Sequence, residues 1–225
     1  MYKFETHLHT NSCSACAVST AEEMIDAAKA NGYSGVVFTN HFYNGCTCVD
    51  KTLPWEDFVD VYANDYYRAK KYGEKKGLKV FFGIEEGYAA GKEMLIYGLS
   101  PDTFKKCPDF INYSAKEKSD FVRSNGGLVV CAHPFRKRSY IPDPDTEPPA
   151  SLFDGVECYN YFNSDEDNQK AFEFAQKNNL LETSGGDIHN SADLGKAGSD
   201  FNVPINTYED FLENIKKGNY TLITK

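Results

Sequence analysis

The segment ETHLHTNSCSAC, residues 5–16, sets His7 and His9 one residue apart. Side chains alternate along a strand with period two, so both imidazoles project from one face while Leu8 turns away. Asp187 and His189 repeat that spacing in SGGDIHN, and His41 in VVFTNHF and His133 in LVVCAHPF each follow a short apolar run of strand character. A single histidine in such a place is more often a hydrogen-bonded structural residue than a ligand. All five histidines of the chain at strand ends, with carboxylates among them, point instead to a centre for divalent transition metals such as Zn, Mn or Fe.

The carboxylates are Asp187 and Glu85. Glu85 ends the apolar run of VFFGIEEGY, where a buried glutamate is costly without a cation beside it, and it reads as a bridging ligand. Glu86 faces the other side of the same strand. Arg136, in HPFRKR, follows His133 closely, and a guanidinium fork there suits a phosphate group, the other reading being a solvated basic cluster with Lys137 and Arg138. Glu157 in GVECYNYFN has the strand-end placement of Glu85 but no histidine near it in sequence, so a supporting role is expected, as for Tyr159 and Asn160.

Seven cysteines, an odd number scattered along the chain, argue against a disulfide framework. Cys131 and Cys158 sit in strand-like runs and read as small buried apolar residues. Cys16 is a candidate thiolate ligand or a small loop residue. The pairs Cys13/Cys16 and Cys46/Cys48 leave open a separate zinc or iron–sulfur site.

These residues must be positioned by strands expected over 2–9, 35–40, 78–85, 93–99, 127–132, 155–159, 181–186 and 220–224, with helices over 20–31, 55–76, 114–125, 165–178 and 207–217. Interleaving of this kind predicts a closed or nearly closed β/α barrel, with a doubly wound open sheet as the competing topology. The pair 78–85 and 93–99 has the look of an antiparallel hairpin, and 140–150, holding four of the nine prolines, reads as a surface loop. At 225 residues the chain is expected to be one domain.

A formal charge of −9 disfavours nucleic-acid polymers while permitting a small anionic ligand. No apolar run is long enough to span a membrane, and MYKFETH lacks the apolar core of a signal peptide, so a cytoplasmic location is expected. Nothing in the sequence points to an oligomeric state.

Taken in order, the motifs resemble those of the PHP family, the polymerase and histidinol phosphatase superfamily, from residue 7 to residue 189. His7, His9 and Thr10 resemble its opening H-x-H-T, and Thr39-Asn40-His41 its T-D-H. Glu85 matches its bridging glutamate, His133-Pro134 its later H-P, and Gly186-Asp187-Ile188-His189 its closing G-S-D-x-H with glycine for serine. The resemblance implies an α/β fold, a distorted (β/α)7 TIM-like barrel with a two- or three-metal site. It implies one ion on His7, His9, Glu85 and Asp187, a second on Glu85 and His133, and a third on His41 and His189. Two ions are expected, and the third depends on a completing ligand such as Cys16.

Three departures stand out: Cys13, Ala15 and Cys16 occupy the loop where the family carries a further ligand, no histidine falls between Glu85 and His133, and Asn40 replaces an aspartate. The function implied is a metal-dependent phosphoesterase acting on a small phosphorylated metabolite through a metal-activated hydroxide. Arg136 could hold the phosphate, and a metal-bound water, Asp187 or His189 would supply the leaving-group proton. The alternatives are a degenerate barrel that binds metal or a phosphorylated ligand as a regulatory module without turnover, and a nuclease-like domain of the kind attached to bacterial polymerases.

Overall fold

The computed structural model describes residues 1–225. Nine strands form one sheet: β1 (Tyr2–Leu8), β2 (Tyr33–Phe38), β3 (Lys79–Ala89), β4 (Lys92–Tyr97), β5 (Leu128–Cys131), β6 (Gly155–Asn160), β7 (Leu181–Gly185), β8 (Ala197–Phe201) and β9 (Tyr220–Thr224). Their order is β7-β6-β5-β4-β3-β2-β1-β8-β9. The β1/β2, β2/β3, β5/β6 and β6/β7 pairs are parallel, and β3/β4, β4/β5, β1/β8 and β8/β9 are antiparallel.

The sheet curls until its ends meet. Just past β7, Ile188 donates its N–H to the His7 carbonyl at 3.1 Å and accepts the His9 N–H at 2.8 Å. Lower down, Ser184 accepts the Thr6 hydroxyl on its carbonyl at 2.7 Å, while its own hydroxyl donates to the Ile223 carbonyl at 2.6 Å. The nearly closed α/β barrel expected from the motifs is therefore present, enlarged by the antiparallel strands β4, β8 and β9.

The helices are α1 (Ala21–Ala30), α2 (Trp55–Lys76), α3 (Pro101–Lys105), α4 (Ala115–Ser124), α5 (Asp165–Asn178) and α6 (Tyr208–Lys217). Thr20 with Glu23, Ser114 with Glu117 and Thr207 with Asp210 form reciprocal caps that satisfy the first free N–H groups of α1, α4 and α6. Gly77 and Gly218, both with positive φ, end α2 and α6. Residues 140–149 carry neither helix nor strand, as their prolines dictate.

β8 was not expected. Its AGSDF sequence lacks an apolar alternation, and it becomes a strand because β1 and β9 pair with it on both sides. An apolar plug joins Phe4, Val37, Phe81, Leu95, Val130 and Phe201 to Phe211 and Ile215 of α6, so that helix covers the end of the barrel opposite the histidines. Two further clusters pack helices on the outside, one centred on Phe42, Phe58 and Phe104, the other on Leu8, Met24 and Val36. No helix is long and apolar enough to cross a membrane.

Candidate metal centre

All five histidines emerge at the ends of strands facing one mouth of the barrel. β1 delivers His7 and His9, the segment after β2 delivers His41, β3 carries Glu85, the turn after β5 presents His133, and the turn after β7 presents Asp187 and His189. The Nε2 atoms of His7 and His9 lie 3.0 Å apart. Each faces Glu85 at 3.3 Å, and Asp187 Oδ1 sits 3.3 Å from the first and 3.2 Å from the second. These four donor atoms all lie within 4.8 Å of one another, and His7, His9 and Glu85 have no solvent exposure.

The fit to a cation shows in what these groups lack. Glu85 Oε2, Asp187 Oδ1 and His41 Nδ1 are buried without a hydrogen-bond partner. A buried carboxylate oxygen so placed is costly unless a positive charge meets it. The backbone is strained at the same place: His133 and Asp187 have φ of +29° and +52°, a region non-glycine residues rarely enter. Arg136 N–H to the His133 carbonyl at 3.0 Å and the two Ile188 bonds to β1 hold these turns.

Charge is balanced across the cluster. Burial disfavours a charged His7, but Glu157, Asp187 and Glu85 outweigh it and push its pKa well up. His9 goes the other way, driven down by burial and by His41. Burial opposes ionisation of Glu85 and Asp187 too, yet His7 and His41 hold the first, and Arg136 and His7 the second, well below the usual carboxylate range.

Arg136 is buried rather than part of a solvated basic cluster. Its Nη2 lies 2.5 Å from Asp187 Oδ2 and donates to Asn160 Oδ1 at 3.0 Å, while Nε donates to Asn163 Oδ1 at 3.1 Å. Lys137 and Arg138 remain exposed. Arg136 holds Asp187 ionised, while the His189 side chain is 27% exposed at the mouth.

Glu157 corrects the sequence reading that gave it no histidine partner. β6 aims it across the barrel, so Oε1 accepts from His7 Nδ1 at 2.8 Å and Oε2 accepts the His133 backbone N–H at 3.1 Å. Glu86 does face the outside, where it accepts from the buried ammonium of Lys118 at 2.5 Å and from the Asn44 N–H at 3.0 Å.

The thiols do not form a four-cysteine site, although Cys46 lies beside Cys16. Cys13 donates to the Tyr62 carbonyl and Cys48 approaches the Asn11 carbonyl, whereas Cys16 Sγ lies 3.1 Å from His189 Nε2. Burial works against the Cys16 thiolate, but hydrogen bonds from His189 and His41 draw its pKa down to about 6. His9, His41 and His189 form a second group of converging nitrogens beside it.

Four contributors escaped the sequence reading. Ser14 Oγ meets His9 Nδ1 at 3.0 Å and accepts the His41 N–H at 3.0 Å. Asn40 Oδ1 accepts the Thr10 N–H at 2.6 Å, and the Thr10 hydroxyl reaches buried Asp65 at 2.5 Å, so Asp65 supplies a carboxylate close to where Asn40 supplies none. Glu5 Oε1 accepts the backbone N–H groups of His7 and Gly186 at 3.0 and 2.8 Å, linking β1 to the Asp187 turn. Glu93 on β4 approaches His41 Nδ1 at 3.3 Å. Of these, Glu5 and Glu93 share a face with an identified ligand or core residue by simple strand alternation, whereas Ser14 and Asp65 are visible only once the loops and α2 fold onto the mouth. Above the cluster opens a cavity of about 420 Å³ bordered by His41, Glu93, Arg136, Tyr140, Asp187 and His189.

A family model described as PHP-associated matches residues 165–220. PolC-type DNA polymerase III from Streptococcus thermophilus is 30% identical over 95 residues, 42% of this chain and only 5% of the polymerase. Among solved structures, a two-domain Bacteroides vulgatus protein containing a predicted PHP-like metal-dependent phosphoesterase superposes with a TM-score of 0.72 at 14% identity, covering 99% of this chain and 64% of that one. A proposed metal-dependent phosphoesterase from Bifidobacterium adolescentis gives 0.58 at 15% identity over 93% and 94% of the two chains. The lesion-specific endonuclease EndoQ of Pyrococcus furiosus gives 0.65 at 15% identity over 98% and 57%. At such identities the structural likeness carries the fold, and the family-model match over residues 165–220 agrees with the ordered motifs in making this chain similar to PHP proteins.

Proposed function

We propose that residues 1–225 form one PHP-type barrel domain that hydrolyses a small phosphorylated metabolite, a phosphomonoester, with the help of divalent cations in the cytoplasm. The observation that carries this reading is the convergence of His7, His9, Glu85 and Asp187 donor atoms within 4.8 Å at the floor of an open cavity. His7, His9, Glu85 and Asp187 would hold one ion, Glu85 and His133 a second, and His41 and His189, with Cys16, a third. Bound cations of this kind, Zn, Mn or Fe, supply the positive charge that grips a phosphate and acidifies a coordinated water.

The chain's own groups supply the rest. Arg136 keeps Asp187 ionised and aimed at the centre, leaving its outer edge on the cavity for phosphate oxygens. Glu157 fixes the His7 ring. His189 stands at the mouth, where it can deliver a proton to a departing oxygen. A cavity of about 420 Å³ and a net charge of −9 favour a small ligand over a polynucleotide.

The test is elemental analysis of the purified protein, followed by phosphate release from a panel of phosphomonoesters with added Mn²⁺ or Zn²⁺, and by cleavage of a DNA oligonucleotide. Two or more ions per chain, with phosphomonoester turnover lost in His9→Ala, supports the reading. Cleavage of DNA alone makes the chain a nuclease, and stoichiometric metal with no turnover makes it a binding module.

A further inference from the structure

We propose that Glu93 is a metal ligand, and that with Glu85, His41 and His133 it forms a carboxylate-rich cation position distinct in chemistry from the imidazole-rich group beside it. The proposal rests on the metal-dependent reading above. The four side chains alternate around one space. Glu85 Oε1 lies 2.9 Å from His133 Nε2 and Glu85 Oε2 lies 2.9 Å from His41 Nδ1. On the opposite side, Glu93 Oε1 lies 3.3 Å from the same His41 nitrogen and Glu93 Oε2 lies 3.7 Å from the same His133 nitrogen. Each imidazole nitrogen is thus flanked by two carboxylates.

The hairpin explains how a residue eight positions after Glu85 returns to it. β3 and β4 pair antiparallel with Gly87 opposite Glu93 and Glu85 opposite Leu95, so Glu85 and Glu93 stand on one face, diagonally across the ladder. The hydrogen-bond pattern is that of groups awaiting a cation. No hydrogen bond satisfies Glu85 Oε2 or His41 Nδ1, although Glu85 is fully buried and His41 is 7% exposed. The Glu93 side chain is only 15% exposed and carries no ion pair beyond the two imidazoles.

Donor chemistry then separates two positions. Two carboxylates with imidazoles make a hard, oxygen-rich set suited to Mn²⁺ or Fe²⁺, whereas His9, His41 and His189 beside the Cys16 thiol make a softer set suited to Zn²⁺. His41 stands between them, its Nδ1 on the carboxylate side.

The experiment is titration of metal-stripped protein with Mn²⁺ and, separately, Zn²⁺, read by calorimetry and by the electron paramagnetic resonance of bound Mn²⁺, on the wild type, Glu93→Gln and Glu93→His. Circular dichroism melts of the stripped proteins check folding. The expected result is that Glu93→Gln keeps one tight Mn²⁺ but weakens a second by at least the ~10–100-fold typical of losing a residue that supports a site, with loss of Mn–Mn coupling from the spectrum. Glu93→His should recover that second position for Zn²⁺ more than for Mn²⁺. Wild-type ion number, affinities and coupling in Glu93→Gln would overturn the role of Glu93 while leaving the metal-dependent reading intact. Failure of the wild type to bind either ion would overturn both.

Discussion

The carboxylate of Glu157 accepts a hydrogen bond from Nδ1 of His7 at 2.8 Å, and because a carboxylate of this kind only accepts, a proton sits on Nδ1 and Nε2 is the nitrogen that faces the centre. One residue thereby orients the ring of His7 and, through the His133 N–H at 3.1 Å, holds the strained turn that presents a second imidazole.

Replacing it tests that arrangement. Glu157→Gln preserves shape but removes the charge, and should lower the affinity for the tightest Mn²⁺ ion about 10–100-fold in a calorimetric titration, with little change in the circular dichroism spectrum. Unchanged affinity would mean that the His7 ring is oriented by packing alone.

Gly185 offers a second way to disturb the same pair without touching a polar group. A Cβ there would stand 2.3 Å from Glu157 Oε1 and 2.6 Å from the His7 Cβ, so the two must move apart to admit it. Gly185→Ala should cost about 1–3 kcal/mol in urea denaturation and weaken Mn²⁺ binding together. A variant with wild-type stability and affinity would show that the barrel wall yields more readily than this contact distance implies.

The ligand candidates were readable from the sequence because each combines a rare residue type with a strand-end position: H-x-H, D-x-H, the glutamate after an apolar run. Strands β2, β3 and β5 follow from their runs of Val, Ile and Phe, and α1 and α4 from their capping residues. What stayed hidden depends on partners distant in the chain. β8 is a strand because of two neighbours, not its own AGSDF pattern. Glu157 looked isolated because the 150 residues separating it from His7 vanish only when β6 and β1 face each other across the barrel. Arg136 read equally as surface or site until Asp187 was seen beside it.

That last pair is a prediction in itself. Arg136→Met removes the guanidinium but keeps the stem's volume, leaving Asp187 buried with a charge no longer met on its outer side. In metal-stripped protein the loss should be about 3–5 kcal/mol, the usual cost of breaking a buried ion pair from one side. Adding Mn²⁺ should recover part of it, since a cation on Oδ1 compensates the same carboxylate and is expected to bind the variant more tightly than the wild type. Equal losses with and without Mn²⁺ would argue that Asp187 does not meet the ion.

The last expectation concerns Cys16, whose thiol lies 3.1 Å from His189 while Cys46 and Cys48 are exposed in the neighbouring loop without a comparable imidazole contact. Iodoacetamide should label all three in the metal-stripped protein, with buried Cys13, Cys131 and Cys158 protected by the fold. If Cys16 completes the softer cation position, Zn²⁺ should slow its alkylation by about tenfold or more relative to Cys48, as read by peptide mass spectrometry, because a coordinated thiolate is no longer a free nucleophile. Cys48 serves as the internal control, since it shares the loop environment but turns toward the Asn11 carbonyl. Parallel labelling of Cys16 and Cys48 at saturating Zn²⁺ would restrict that position to His9, His41 and His189, and would make the low pKa of Cys16 a by-product of its histidine neighbours rather than a preparation for metal.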